Sequence, residues 1–202
     1  MRDPTLLQLN VTSDPKEPAR LATRENRMPQ EDELPATIFE QYRDAPLTEL
    51  PSFFVGGATI AFERELAGPL LTNDLGLTFV LPLQVLDYER KKQLFTERNY
   101  HCIFRHNVFR ALAPEHSPRL VASVHYPNAP LQIPMKPRPG KPHIPDIEDG
   151  DVAVHAKALE GPLTWYDDQL SGCIFFRGDL VEEMEDAGVA KYWQLKKCKI
   201  VP

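Results

Sequence analysis

The chain has 202 residues, 42% hydrophobic and 26% charged, with a formal net charge of −6. That balance supports a packed core and excludes disorder of the whole chain, and its acidic sign argues against a general nucleic-acid binder, which needs basic surface to neutralise phosphates. No run of 18 apolar residues occurs, and Met1 to Asn10 lack the basic-then-apolar order of a signal peptide, so a cytoplasmic protein with neither membrane nor nucleic-acid partner is expected.

In chain order, residues 11–36 hold Pro15, Pro18, Pro29 and Pro35 with little apolar periodicity, which predicts an extended arm, because proline fixes φ and removes a donor. Thr59-Ile60-Ala61-Phe62 reads as a short strand. The helix after it, around Leu66 and Leu70, is interrupted by Gly68 and Pro69. Phe79, Leu81, Leu83 and Val85 alternate and predict a strand with one buried face. Asn99 to Ala113 predicts one long strand or a hairpin turning at Arg105-His106-Asn107, and Arg119 to Tyr126 a further short strand. Residues 127–145 contain seven prolines and read as an inserted loop, with Pro134 to Pro139 running as polyproline-like chain. Val152 to Ala156 predicts another strand. A helix then starts near Asp179, with Leu180, Val181 and Met184 inward, Glu182, Glu183, Glu185 and Asp186 outward, and Gly188 as its stop. The closing strand takes Trp193, Leu195, Cys198 and Ile200, with a phase break at Lys196-Lys197.

A weak internal repeat links these elements. Ile60, Phe62, Leu66 and Leu70 align with Ile174, Phe176, Leu180 and Met184 at a constant offset, and Gly76-Leu77 with Gly188-Val189. The expected fold class is therefore α+β: a mixed sheet with two or three helices, built from two strand-helix-strand units over about 59–86 and 173–201.

Charge is unevenly spread. Residues 88–145 carry ten basic and three acidic side chains, whereas residues 146–186 carry two basic and twelve acidic ones. The blocks meet at Pro145-Asp146, and either is a docking face if it clusters in space. Cys102, Cys173 and Cys198 lie in apolar runs with no C-x-x-C, so three reduced, packed thiols are expected; His101 faces away from Cys102 on a strand. No phosphate-loop, dinucleotide, serine-hydrolase or H-E-x-x-H motif is present, and no metal or cofactor is expected. Asp149-Gly150-Asp151 and Asp167-Asp168 have the oxygen chemistry of a cation site but also the composition of turns, and the latter pair is expected to cap a turn seating Trp165.

From Asp151 onward, Val152-Ala153-Val154, Ala158-Leu159-Glu160-Gly161-Pro162, Trp165, Asp167-Asp168, Leu170-Ser171-Gly172, Ile174-Phe175-Phe176, Leu180, Ala187-Gly188-Val189 and Leu195 to Val201 form a pattern. It resembles the C-terminal half of the Imm-eleven-type bacterial immunity family, the antitoxins of polymorphic toxin and type VI secretion effector systems. Pro51-Ser52-Phe53, Ile60 to Leu66, Asp74-Leu75-Gly76, Pro82 to Val85, Asn99 to Ile103 and Pro114 to Ser117 are similar to its earlier part. The chain departs from the pattern at Arg177-Gly178, where a Ser or Thr cap is commoner. The resemblance covers roughly residues 45–202, apart from the proline-rich loop; one immunity-type domain over 1–202 is expected, with the arm 11–36 and the loop 127–145 as additions to the family pattern. The resemblance implies a non-enzymatic antitoxin that blocks a cognate protein toxin. The candidate contact residues are Asp146, Glu148, Asp149, Asp151, Glu182, Glu183 and Asp186. The alternatives are a metal-dependent hydrolase using Asp149, Asp151, His143 and His155, and a scaffold presenting Pro134–Pro139 to an SH3-like partner.

Overall fold

The computed structural model describes residues 7–8, 11–56, 59–104, 107–123, 126, 128–138 and 141–202. Where the sequence reads as one domain, the backbone divides into two compact units, residues 1–73 with 77–106 and residues 74–76 with 107–202.

The first unit contains β1 (Leu7–Gln8), β2 (Val11–Thr12), α1 (Pro18–Arg24), β3 (Ala36–Glu40), β4 (Phe53–Gly56), β5 (Thr59–Glu63), α2 (Gly68–Thr72), β6 (Phe79–Leu86), β7 (Gln93–Leu94) and β8 (Tyr100–Phe104). Its strands form one mixed sheet in the order β1-β4-β5-β8-β6-β3-β2, with β7 also on β6. β1 runs parallel to β4, β2 antiparallel to β3, and β3 parallel to β6. β8 is antiparallel to both β5 and β6. Alternation in β6 works as expected: Phe79, Leu81, Leu83 and Val85 are buried. β8 is flanked on both sides, and its first four residues, Tyr100 to Ile103, are all buried. The core gathers Ile38, Phe54, Ala61, Leu81, Val85 and Cys102.

The expectation of an extended arm over 11–36 is corrected by α1. Pro18 occupies the first turn, where its missing N–H costs no helical bond and its fixed φ suits the helix. Ala19, Arg20, Ala22 and Thr23 are buried. Arg20 is held in the interior: its Nη2 donates to Thr59 Oγ1 at 2.8 Å, Glu17 lies 3.6 Å away, and the guanidinium sits 5.1 Å from the Phe104 ring centroid.

The second unit contains β9 (Leu131–Gln132), β10 (Met135–Arg138), β11 (Lys141–Pro145), β12 (Ala153–His155), β13 (Thr164–Trp165), β14 (Leu170–Ser171), β15 (Phe175–Phe176), α3 (Gly178–Asp186) and β16 (Lys199–Val201). They form two-stranded pairs: β10 with β11 and β13 with β15 antiparallel, β12 with β16 and β14 with β9 parallel. The segment that leads into them makes single bridges, Val108 parallel to Tyr166 and Leu112 antiparallel to Val154. The core packs Leu112, Val154, Trp165, Leu170 and Phe175. The chain is thus a mixed α+β fold with one large sheet and three helices among the described residues.

Several expectations change here. Within the proline-rich stretch 127–145, β10 and β11 pair antiparallel instead of running as open loop or polyproline chain, and Pro127, Pro139 and Gly140 lie outside the described residues. Pro137 lies between Lys136 and Arg138, where the register shifts, a place where a residue without an N–H is tolerated. No hairpin returns along β8: residues after Asn107 bridge Tyr166 and Val154 instead, and the expected turn at Arg105-His106 lies outside the described residues. Among the described residues from Arg119 to Tyr126 only Val121 bridges, to Gln132. The closing strand shrinks to Lys199–Val201, because Ala190–Tyr192 turn as a 3-10 helix and Gln194 adopts φ of +48°. The expected strand-helix-strand copies also pair differently. β5 and β6 both flank β8, whereas β15 and β16 lie in separate pairs.

Candidate interaction surface

The acidic turn 146–151 is held largely by its own unit. Arg119 Nη2 donates to the Asp146 carbonyl at 2.8 Å and lies 3.2 Å from its carboxylate, while Arg119 Nη1 is 3.7 Å from Asp151. Asp151 Oδ2 accepts the Glu148 N–H at 2.7 Å, and Asp149 Oδ1 accepts the Lys197 N–H at 2.9 Å. Glu148 pairs with Lys196 at 3.2 Å but remains 81% exposed. Gly150 supplies the φ of +86° that closes the turn, and its N–H reaches the Lys197 carbonyl at 2.7 Å. Four of the seven candidate residues, Asp146, Glu148, Asp149 and Asp151, therefore share one turn, and three of their carboxylates are spent on closing it.

The other three stand on α3. Leu180 and Met184 bury its inner face, and Glu182, Glu183, Glu185 and Asp186 are exposed. The helix ends in a complete Schellman motif. Val189 N–H donates to Met184 C=O, and Gly188 N–H to Glu185 C=O, both at 2.9 Å, with Gly188 at φ of +70°. At the other end Arg177 grips Asp179 with both nitrogens, at 2.9 and 2.6 Å, and holds its carboxyl below the ordinary range. Glu182, Glu185 and Asp186 make no ion pair among the described residues. The structure does not connect α3 to the turn through any ion pair among the described residues.

Asp167 and Asp168 do cap a turn. Asp167 is 1% exposed; its Oδ2 accepts the N–H groups of Ala111 and Leu112 at 2.8 and 2.7 Å, and its Oδ1 that of Gln169 at 3.0 Å. Asp168 takes a two-pronged grip from Arg110. Trp165 is seated beside them, stacked on Phe175 at 5.3 Å and edge-on to Phe109 at 6.0 Å.

For chemistry, the first unit offers an open cleft of about 440 Å³ lined in part by Arg64, Gln84, Arg98, Asn99, Tyr100 and His101. Burial keeps His101 below the ordinary histidine range, with Arg64 adding to the effect. Arg98 is committed to the Leu50 carbonyl, the Tyr100 hydroxyl and Glu63. No carboxylate lines the cleft. Cys102 is turned into the core, its thiol pushed far up by burial, and Cys198 is pushed up to about 11 for the same reason. No group of three metal-ligating side chains occurs among the described residues. Of the hydrolase candidates, His155 Nδ1 lies 2.9 Å from the Pro202 carbonyl, and the side chain of His143 lies outside the described residues. The buried pair Glu17 and Arg20 had no local sequence signal beyond its i, i+3 spacing. No helix among the described residues is long and apolar enough to cross a membrane.

Comparison with protein-family models, with curated proteins and with solved structures finds no match to the chain.

Proposed function

We propose that the chain is an immunity protein, an antitoxin that binds a co-encoded secreted antibacterial toxin in the cytoplasm and neutralises it by protein contact, with no catalytic step or cofactor of its own. The observation that carries this reading is α3. It presents Glu182, Glu183, Glu185 and Asp186 to solvent from a helix without a single basic residue. Such a face complements a toxin with a basic cleft and speeds its capture. The acidic turn contributes less to docking than α3, because Asp149 and Asp151 bond backbone groups of their own unit.

The proposal includes an internal duplication. In each unit a leading segment pairs parallel with one strand and antiparallel with another: β4 and β3 in the first, Tyr166 and β12 in the second. An antiparallel pair follows, β4–β5 or β13–β15, then a helical segment, then a strand parallel to an earlier one, β6 on β3 or β16 on β12. Ala36 faces Leu83 as Ala153 faces Lys199.

The test is co-expression with the product of the adjacent gene. The chain should co-purify with that product and protect cells from it. Replacing Glu182, Glu183 and Asp186 together by Lys should slow association by about ten-fold or more at low salt, less so at high salt. A chain that neither binds nor protects sinks the reading.

A further inference from the structure

In the first unit β8 lies between β5 and β6 and pairs antiparallel with both. In the second unit the strands in the corresponding places are β15 and β16. Each has one partner, and no strand lies on the outer edge of either among the described residues. The open edges can be located residue by residue. Glu63 N–H donates to Ser52 C=O at 2.8 Å, so Phe53 and Phe62 form a non-hydrogen-bonded pair, and the Phe62 main chain faces β8, opposite His101. Arg177 N–H donates to Leu163 C=O at 2.9 Å in the same relation. Thr164 and Phe176 are then the non-hydrogen-bonded pair, and the Phe176 N–H and C=O face outward. On β16, Lys199 N–H donates to Val152 C=O at 2.9 Å, so Lys199 and Val201 face β12 and the Ile200 main chain faces outward. The Ile200 side chain is 44% exposed on this edge.

We propose that these edges are a strand-docking site. The second unit takes an extended segment of a partner protein, at least as long as the five-residue β8, antiparallel to β15 and β16 and rich in apolar side chains as Tyr100-His101-Cys102-Ile103-Phe104 is. Main-chain bonds supply affinity, and alternate side chains supply selectivity. The proposal rests on the duplication. It deepens the antitoxin reading by assigning the toxin's contribution as an extended strand rather than only a basic surface. Trp193 packs edge-on to the Phe176 ring at 5.2 Å and braces the side chain of that strand.

The probe is a fluorescein-labelled peptide of residues 97–104 carrying Cys102→Ser, titrated onto the full chain and read by anisotropy, with amide exchange followed in parallel. Saturable binding is expected, with the Phe176 and Ile200 amides exchanging fast in the free chain and slowing when the peptide is bound. Ile200→Pro removes only an outward N–H and should weaken binding about five- to ten-fold; Ile200→Val keeps the donor and should bind as the parent does. If Ile200→Pro disturbs folding, the exchange of the Phe176 amide in the parent chain still decides. Failure of the peptide to bind, or equal binding by Ile200→Pro in a folded chain, overturns the proposal. So does slow exchange at both amides without peptide. Protection that rises with protein concentration, alongside a doubled hydrodynamic mass, overturns the choice of occupant in favour of a second copy. The peptide result is independent of whether the adjacent gene's product is the partner, so failure of the antitoxin reading is seen separately in the rescue assay.

Discussion

Asp167→Ala is the substitution that tests the second unit most directly. The carboxylate is 1% exposed and takes three main-chain donors, Ala111, Leu112 and Gln169. Removing it does not strand all three equally. The Ala111 N–H keeps a bond to Phe109 C=O at 3.0 Å, though across only two residues, and Gln169 is exposed enough for water to replace its partner. Leu112, 3% exposed, has no such substitute, and an unpaired buried donor costs about 1–3 kcal/mol. With the weaker losses at Ala111 and Gln169, the total comes to about 2–4 kcal/mol, a large share of the ~5–15 kcal/mol that holds a typical domain. Asp167→Asn retains one acceptor oxygen and should cost about half as much. Urea unfolding followed by the fluorescence of Trp165 and Trp193, both in the second unit, reads the difference as a shift in midpoint at unchanged slope. A shift for Asp167→Ala equivalent to less than ~0.5 kcal/mol, the range of ordinary surface changes, would refute the assignment of Asp167 as the anchor of this turn.

Two further outcomes follow from the geometry. Glu33 accepts both Arg27 nitrogens at 2.7 Å and the Gln30 N–H at 2.8 Å, which hold its carboxyl down to about 2 from an ordinary 4.5. Because the folded value is the lower one, its stabilisation is present above about 4.5 and is lost as pH falls toward 2; side-chain carbonyl NMR should place the Glu33 midpoint there, and Arg27→Ala should raise it toward the ordinary range while the Gln30 N–H still holds it below. Gly188→Ala meets no atom within 4 Å of the added Cβ, so its cost of about 1–2 kcal/mol is purely that of φ at +70°; thermal unfolding should show it, and Gly178→Ala, with equal space and no positive φ, should not lose stability.

What was legible in the sequence was local. The apolar spacing of Leu180 and Met184, the outward acids and the stopping glycine define α3 within eleven residues, and the alternation of Phe79, Leu81, Leu83 and Val85 defines β6. What was not legible depends on partners distant in sequence. Pro18 reads as a breaker until it is known to sit at a helix start, and the burial of Arg20 depends on Thr59 and Phe104, far along the chain. Pro137 and Pro142 fit a hairpin only because the register shifts around them. In the candidate surface, α3 was legible as an exposed acidic face, but the turn 146–151 was not legible as a closed one, because its cations come from Arg119 and from Lys196.

Part of the charge of the acidic block after Asp146 is met by cations of its own unit. Arg119 closes on Asp146 and Asp151, Arg110 on Asp168, Arg177 on Asp179 and Lys196 on Glu148. Each pair is exposed or half-exposed and contributes little to stability on its own, but each cancels a charge that would otherwise project into solvent. The run on α3 is left uncancelled: Glu182, Glu185 and Asp186 meet no cation among the described residues. α3 lies in the chain between β15 and β16, the two strands without a second partner strand among the described residues. A partner strand seated on those edges is therefore expected to carry apolar side chains along its length and basic groups at its flanks, since steering by α3 and pairing with β15 and β16 then select the same segment.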